Sequence, residues 1–218
     1  MNKRFGFTLA EVLITLAIIG VVAAMTIPTM IANYQKEQTT TQLKKVYNTM
    51  QNAIRASEVE NGPYSSWDTS LSGVVFAQTY LLPYLNYNSF KQIGTSYTCK
   101  YFDNATNCTC STYYAIILPD GAYVLFTNAA ISTLKLIFVD VNGPKPPNRH
   151  SRDVFTFEFD QTYGFSTEGV NYIKKGIFAG RTSLFTAMHG CKSSNTSWDY
   201  CAALIIYDGW EIADDYPW

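Results

Sequence analysis

Charge is scarce in this chain: Asp, Glu, Lys and Arg make up 15% of its 218 residues and nearly cancel, leaving a formal net charge of −1. Without a basic field, nucleic acid is excluded as the main partner. Histidine is scarcer still, with only His150 and His189. No Gly-x-Ser-x-Gly elbow accompanies them, which argues against a serine hydrolase. No glycine loop is built to cradle phosphate, so an ATPase acting with this chain must be another protein. The five cysteines lack Cys-x-x-Cys spacing; Cys108-Thr109-Cys110 and His189-Gly190-Cys191 do not supply a zinc site. A thiolate activated by His189 is disfavoured because residues two apart do not face one another on a helix. The inventory yields no catalytic residue and argues against an enzyme.

Charge is thinnest at the start. Between Arg4 and Lys36 the single side chain charged at neutral pH is Glu11, and from Val12 to Ile27 polarity is confined to Thr15 and Thr26, with Gly20 between them. A helix of ~20 such residues spans the ~30 Å hydrocarbon core of a bilayer. Lys3 and Arg4 precede it, and the positive-inside bias makes it a single pass with a cytoplasmic amino terminus and an exported remainder. Glu11 is the anomaly. An ionised carboxylate inside an apolar span costs roughly 2.5–3.5 kcal/mol, so it calls for a partner. An ordinary secretory signal, with Val22-Ala23-Ala24 as cleavage site, and a plain uncleaved anchor are the competing readings. Neither accounts for a glycine, an aromatic residue and an acid at fixed offsets ahead of the span.

That run, Gly6-Phe7-Thr8-Leu9-Ala10-Glu11 after a short basic leader, resembles the class III signal of type IV prepilins and type II secretion pseudopilins. The resemblance implies cleavage by a prepilin peptidase between Gly6 and Phe7 and N-methylation of Phe7. It also implies that Glu11 pairs with the terminal amine of a neighbouring subunit in a homo- or hetero-oligomeric filament. Pro28 falls where many pilins loosen the helix, since proline removes a donor and clashes with the preceding turn. The chain departs from many members in having Phe5, not a basic residue, beside the glycine. The implied setting is the inner membrane, with lipid, an assembly platform and a separate assembly ATPase as partners, and the filament in the envelope or at the surface. The implied function is a pseudopilin of a type II secretion-like system. A surface pilus for adhesion, motility or DNA uptake is the alternative, and a membrane-anchored exported enzyme is the competing class.

Glycine and proline are absent from residues 29–61 except at the boundary that follows, Gly62-Pro63. Leu43, Val46, Tyr47, Met50, Ala53, Ile54 and Ser57 form an i, i+3, i+4, i+7 stripe, so residues 8–61 are predicted to be one helix, apolar all round first and striped afterwards. The expected organisation is a leader (1–6), a helix (7–62, with 7–30 in membrane or filament core and 31–62 amphipathic) and one head (63–218). The expected fold class is α+β and type IV pilin-like, a long helix packed on a small antiparallel sheet with disulfides. Residues 70–85 have helical character interrupted by Pro83. Residues 113–118 and 122–127 read as a hairpin over Pro119-Asp120-Gly121. Residues 134–141 and 153–159 read as further strands, the latter turning Phe155, Phe157 and Phe159 to the helix in a half-buried sheet. Residues 100–112 read as a stapled loop and 163–197 as irregular.

All five cysteines lie beyond the span, where disulfides persist. Cys191 and Cys201, the two of the final segment, are expected to pair, and Cys99 to join Cys108 or Cys110. The pseudopilin resemblance implies a possible calcium site near the carboxyl end, for which Asp140, Asn142 and Asp153 are the candidate oxygen ligands. The same residues beside Gly143 also suit ordinary turn chemistry. Asp208, Asp214 and Asp215 form a second acidic group. Sixteen tyrosines suit either a sheet core or an adhesive face.

Overall fold

The computed structural model describes all residues except 1–5, 7, 95–96, 101–106, 109–111, 133–135 and 193–199, and side chains are not described for 107 and 108. The backbone divides into two compact units, Met1–Gln38 and Thr39–Trp218. The first unit is almost wholly helix, the opening part of α1 (Leu9–Asn61). Its apolar side chains are solvent-facing: Leu13, Ile14, Leu16, Ile18, Ile19 and Met25 are each more than half exposed.

The second unit begins with the rest of α1, where the buried residues are Thr39, Thr40, Leu43, Val46, Met50, Ala53, Ile54 and Ser57. Leu43, Val46, Met50, Ala53, Ile54 and Ser57 belong to the stripe the sequence predicts, its remaining member Tyr47 is partly buried against the core, and Thr39 and Thr40 extend the stripe, which packs on an antiparallel sheet. The sheet order is β1 (Ser89–Gln92), β4 (Tyr114–Ile117), β5 (Tyr123–Phe126), β6 (Leu136–Asp140), β7 (Val154–Asp160) and β8 (Gly164–Ser166). A separate two-stranded ribbon pairs β2 (Cys99–Lys100) with β3 (Asn107–Cys108), Cys99 opposite Cys108. The hairpin over Pro119-Asp120-Gly121 is present, with Ile117 opposite Tyr123. Gly121 takes φ +91°, a region open to glycine at no steric cost. Lys45 of α1 reaches this turn and pairs with Asp120 at 2.8 Å.

Phe155, Phe157 and Phe159 enter the core shared with α1, as the alternation predicts. The sheet is not half-buried, however. Every residue of β7 is buried, including Thr156, Glu158 and Asp160 on the other face. A second apolar cluster of Tyr97, Cys99, Ala115, Leu125, Phe138 and Val154 occupies that side. The segment 163–197, expected to be irregular, contains β8 and two short helices, α3 (Glu168–Lys174) and α4 (Arg181–Thr186). Too short to hold in isolation, they stand by packing: a Cβ on Gly169 would come within 2.8 Å of both Ala203 and Leu184. A further helix, α5 (Cys201–Tyr207), has five buried residues in the same core. Preceding the sheet, α2 (Gly73–Tyr80) is capped by Ser72 and is followed by a 3-10 turn containing Pro83. Trp67 anchors this region, stacked on Tyr80 at 4.5 Å and on Phe159 at 5.6 Å, its indole N–H donating to the Gly62 carbonyl.

Candidate functional site

Thr8 precedes the first residue of α1, and its hydroxyl accepts from the Glu11 amide at 3.3 Å. In return the Glu11 carboxylate accepts from the Thr8 amide and hydroxyl, both at 2.8 Å. This is a capping box, two chain-end donors satisfied reciprocally. The Thr8-x-x-Glu11 spacing is the signal in the sequence that carries it. Among the described residues Glu11 thus has a partner within its own chain, but an uncharged one, at the start of an apolar run. At Gly6 neither a positive φ nor a crowding neighbour calls for glycine, since a Cβ there would meet nothing within 4 Å. Phe7 and residues 1–5 lie outside the described residues. Helix α1 continues without interruption through Pro28, and the Thr26 hydroxyl back-bonds to the Val22 carbonyl at 3.0 Å. By length and composition α1 can cross a membrane, its most apolar window having a mean hydropathy of 2.3.

The structure does bring Asp140, Asn142 and Asp153 together. Asp140 ends β6 and Asp153 precedes β7, so the loop between two paired strands returns one to the other. Asp153 accepts from the backbone amides of Asn148 and Arg149 and from the Asn142 side chain at 3.2 Å. Asp140, fully buried, accepts from the Asn142 amide at 3.1 Å and from the Tyr97 hydroxyl at 2.5 Å. Gly143 is obligatory here: at φ +66° its Cβ would stand 2.4 Å from the Gly121 carbonyl oxygen, so the loop rests on the β4–β5 turn. Burial, reinforced by the neighbouring Asp153, pushes the Asp140 carboxyl up to about 8 against the hydrogen bonds it accepts, and burial raises Asp153 as well. Two acids packed this closely resist joint ionisation. The Oδ1 atoms of Asn142 and Asn148 are buried acceptors without a hydrogen-bond partner among the described residues. Asp140, Asn142 and Asp153 thus lie together around one loop with Asn148 beside them, the two carboxylates accepting hydrogen bonds from protein donors. Tyr97 was not legible as a member, since it comes from a segment far from Asp140 in sequence.

Cys191 and Cys201 form a disulfide, as expected, and both are fully buried. With its sulfur in that bond Cys191 offers no thiolate to His189. Cys99 is also disulfide-bonded, while the choice between Cys108 and Cys110 falls on side chains outside the described residues. The acidic group at the carboxyl end is divided. Arg181 grips Asp208 and Asp215 through paired contacts of 2.7–2.8 Å, so these acids already have a cation.

A profile described as the prokaryotic N-terminal methylation motif matches residues 1–27, and that of a family of unknown function (DUF6613) matches residues 29–218. Type II secretion system core protein G of Vibrio cholerae serotype O1 is 31% identical over 81 residues, covering 36% of this chain and 53% of that protein. Its namesake from Escherichia coli K12 is 32% identical over 89 residues, covering 40% and 59%. The chain thus spans between half and three-fifths of the length of these curated relatives. No solved structure matches significantly. The methylation motif and the relatives support the prepilin-like reading of the amino-terminal run.

Proposed function

This chain belongs to the family of unknown function DUF6613, and we propose that it is a pilin-like structural subunit, not an enzyme, which polymerises through α1 once its leader is removed. The observation that carries this is Glu11, a carboxylate whose donors among the described residues are the neutral amide and hydroxyl of Thr8, at the head of a helix whose apolar residues are exposed. Exposed apolar surface of that extent belongs in lipid or against other such helices. Cleavage between Gly6 and Phe7 creates a positive amine, and a docking subunit that brings this amine to Glu11 of its neighbour neutralises a charge that is costly to bury. One axial register satisfies it, so the charge pair sets the order in which rods pack. Methylation of Phe7 preserves the positive charge. The two curated relatives favour a pseudopilin of a type II secretion-like system over a surface pilus. The peptidase, an inner-membrane platform and a separate ATPase are then its assembly partners.

Intact mass of the purified mature protein tests the processing step. Loss of residues 1–6 with gain of one methyl group is expected, and a chain retaining Met1 removes the amine on which the reading depends. In an assembling strain, Glu11→Ala is expected to be inserted and processed but absent from filaments; normal filaments from that variant would overturn the pairing role.

A second reading, favoured by the orphaned Asn142 Oδ1 beside two buried acids, is that the 140–153 loop binds calcium through Asp140, Asn142 and Asp153. The ion would relieve the repulsion between the carboxylates and fix the loop on the β4–β5 turn. Chelation is expected to lower the thermal midpoint of the whole chain in detergent; an unchanged midpoint rejects it.

A further inference from the structure

The segment that follows α5 is fastened to three other parts of the second unit. Near its start Trp210, at φ +71°, donates its amide to the Ile205 carbonyl at 2.7 Å and packs on Tyr47 of α1, ring centroids 5.2 Å apart. Between its ends Arg181, the first residue of α4, holds Asp208 and Asp215 at 2.7–2.8 Å through paired contacts with each. Farther on, Tyr216 is 4% exposed and donates its hydroxyl to the Ser151 carbonyl at 2.5 Å, while the Arg152 guanidinium lies 5.1 Å from the centre of the Trp218 ring.

What the segment grips is backbone in a costly conformation. Asn148 and Ser151, neither of them glycine, take φ values of +44° and +69°. Such residues persist in the left-handed region where their surroundings over-determine them. Every amide from Asn148 to Val154 is hydrogen-bonded. Asn148 and Arg149 donate to the Asp153 carboxylate, His150 to the Lys100 carbonyl, Ser151 to the Val154 carbonyl, and Arg152, Asp153 and Val154 to the Arg149 carbonyl. Tyr216 adds a donor from far along the chain, aimed at the carbonyl of one of the two left-handed residues.

We propose that residues 208–218 form a strap, latched by Arg181, whose closed position imposes the conformation of the 148–153 loop. Arg181 then controls, through Tyr216, how the amides of Asn148 and Arg149 meet Asp153. The latch is the releasable part. Its Arg181 and Asp215 side chains are 32% and 56% exposed, so salt and water compete for the pair, whereas the Tyr216 contact is buried. The coupling does not depend on whether the loop holds calcium.

Hydrogen exchange of the full-length protein in detergent micelles, with chelator present, tests this by mass spectrometry. Arg181→Gln is expected to speed exchange about tenfold in both 210–218 and 148–154, with the β4–β5 hairpin at the wild-type rate. Raising salt should move the same two regions of the wild type in that direction. Tyr216→Phe deletes the hydroxyl alone and is expected to speed 148–154 while 210–218 responds less than in Arg181→Gln. If Arg181→Gln loosens 210–218 and leaves 148–154 at the wild-type rate, or changes neither, the strap does not govern the loop and the proposal fails. If the hairpin quickens too, the variant is destabilised throughout and Tyr216→Phe decides: wild-type exchange at 148–154 in that variant rejects the strap.

Discussion

The two ends of α1 use one backbone conformation for two solvents. In residues 39–61, Leu43, Val46, Met50, Ala53 and Ile54 are buried on one stripe while Lys44, Arg55 and Glu60 face water. In residues 9–31 no stripe exists: apolar side chains point in every direction, and Glu11 is the single ionisable group. The first pattern is answered inside the chain by the phenylalanines of β7 and β8. The second is left exposed in its own unit, with Leu13, Ile14, Leu16, Ile18, Ile19 and Met25 each more than half exposed. A helix with a stripe has chosen its neighbour by folding, whereas one apolar all round leaves its neighbours to be supplied by a membrane or by other copies. The difference lies in side chains alone, since no break in helical structure separates the two.

The comparison breaks if damage to one end is felt at the other. Trp67→Ala should have the largest effect, about 3–5 kcal/mol of the second unit's stability, because it empties a fully buried stack between Tyr80 and Phe159. Chemical denaturation of the full chain in micelles, followed by aromatic fluorescence, measures this, and insertion into membranes should be unaffected. The mirror experiment is Leu16→Asp. It should cost about 2.5–3.5 kcal/mol of insertion free energy, seen as loss of the membrane fraction, while the denaturation midpoint of the second unit stays at the wild-type value. A midpoint shift in Leu16→Asp would show that the two ends are not energetically separate.

How much of this was legible in the sequence follows from the same contrast. The stripe on α1, the Pro119-Asp120-Gly121 hairpin and the aromatic side of β7 are periodic or local signals, and the structure follows them closely. Helices α3 and α4 were not legible because six or seven residues carry little periodicity. Their stability comes from Gly169 packing on Ala203 and Leu184, contacts distant in sequence. The burial of Glu158 and Thr156 was missed for a related reason, since alternation reports which residues share a face but not whether that face is covered. Asp140, Asn142 and Asp153 could be picked out as a group because one loop joins them, whereas Tyr97 arrives from a different segment.

Titration sharpens the comparison further, because its expected effects belong to the second unit. His150 is buried and held down to about 4 by that burial, so between pH 4 and its ordinary 6.5 the unfolded chain takes up a proton that the native chain refuses. Stability from this group rises with pH over that window. Asp140 acts in the opposite sense. Its native pKa of about 8 lies above the ordinary 3.8, so the native chain keeps a proton that the unfolded chain has lost, and stability falls as pH rises from about 4 to 8. The two slopes oppose each other below pH 6.5. Above it Asp140 acts without His150, and stability should decline by up to about 1.4 kcal/mol per pH unit toward pH 8 in chelated protein. Asp140→Asn should flatten that decline; a slope unchanged in the variant would remove Asp140 from the account.

The smallest expected effect concerns an ion pair between α1 and the hairpin turn. Lys45 meets Asp120 at 2.8 Å, yet its side chain is 62% exposed, so water and salt compete for both partners. Lys45→Ala should therefore cost less than about 1 kcal/mol, and the loss should shrink further at high salt. The stripe at Leu43 and Val46, fully buried on either side of Lys45, already fixes how this part of α1 sits on the sheet. A double-mutant cycle with Asp120→Ala isolates the pair. A coupling several-fold larger than for exposed pairs would mean that the charge, and not the apolar stripe, sets the register of the helix on its sheet, and the division between the two ends of α1 would have to be redrawn in electrostatic terms.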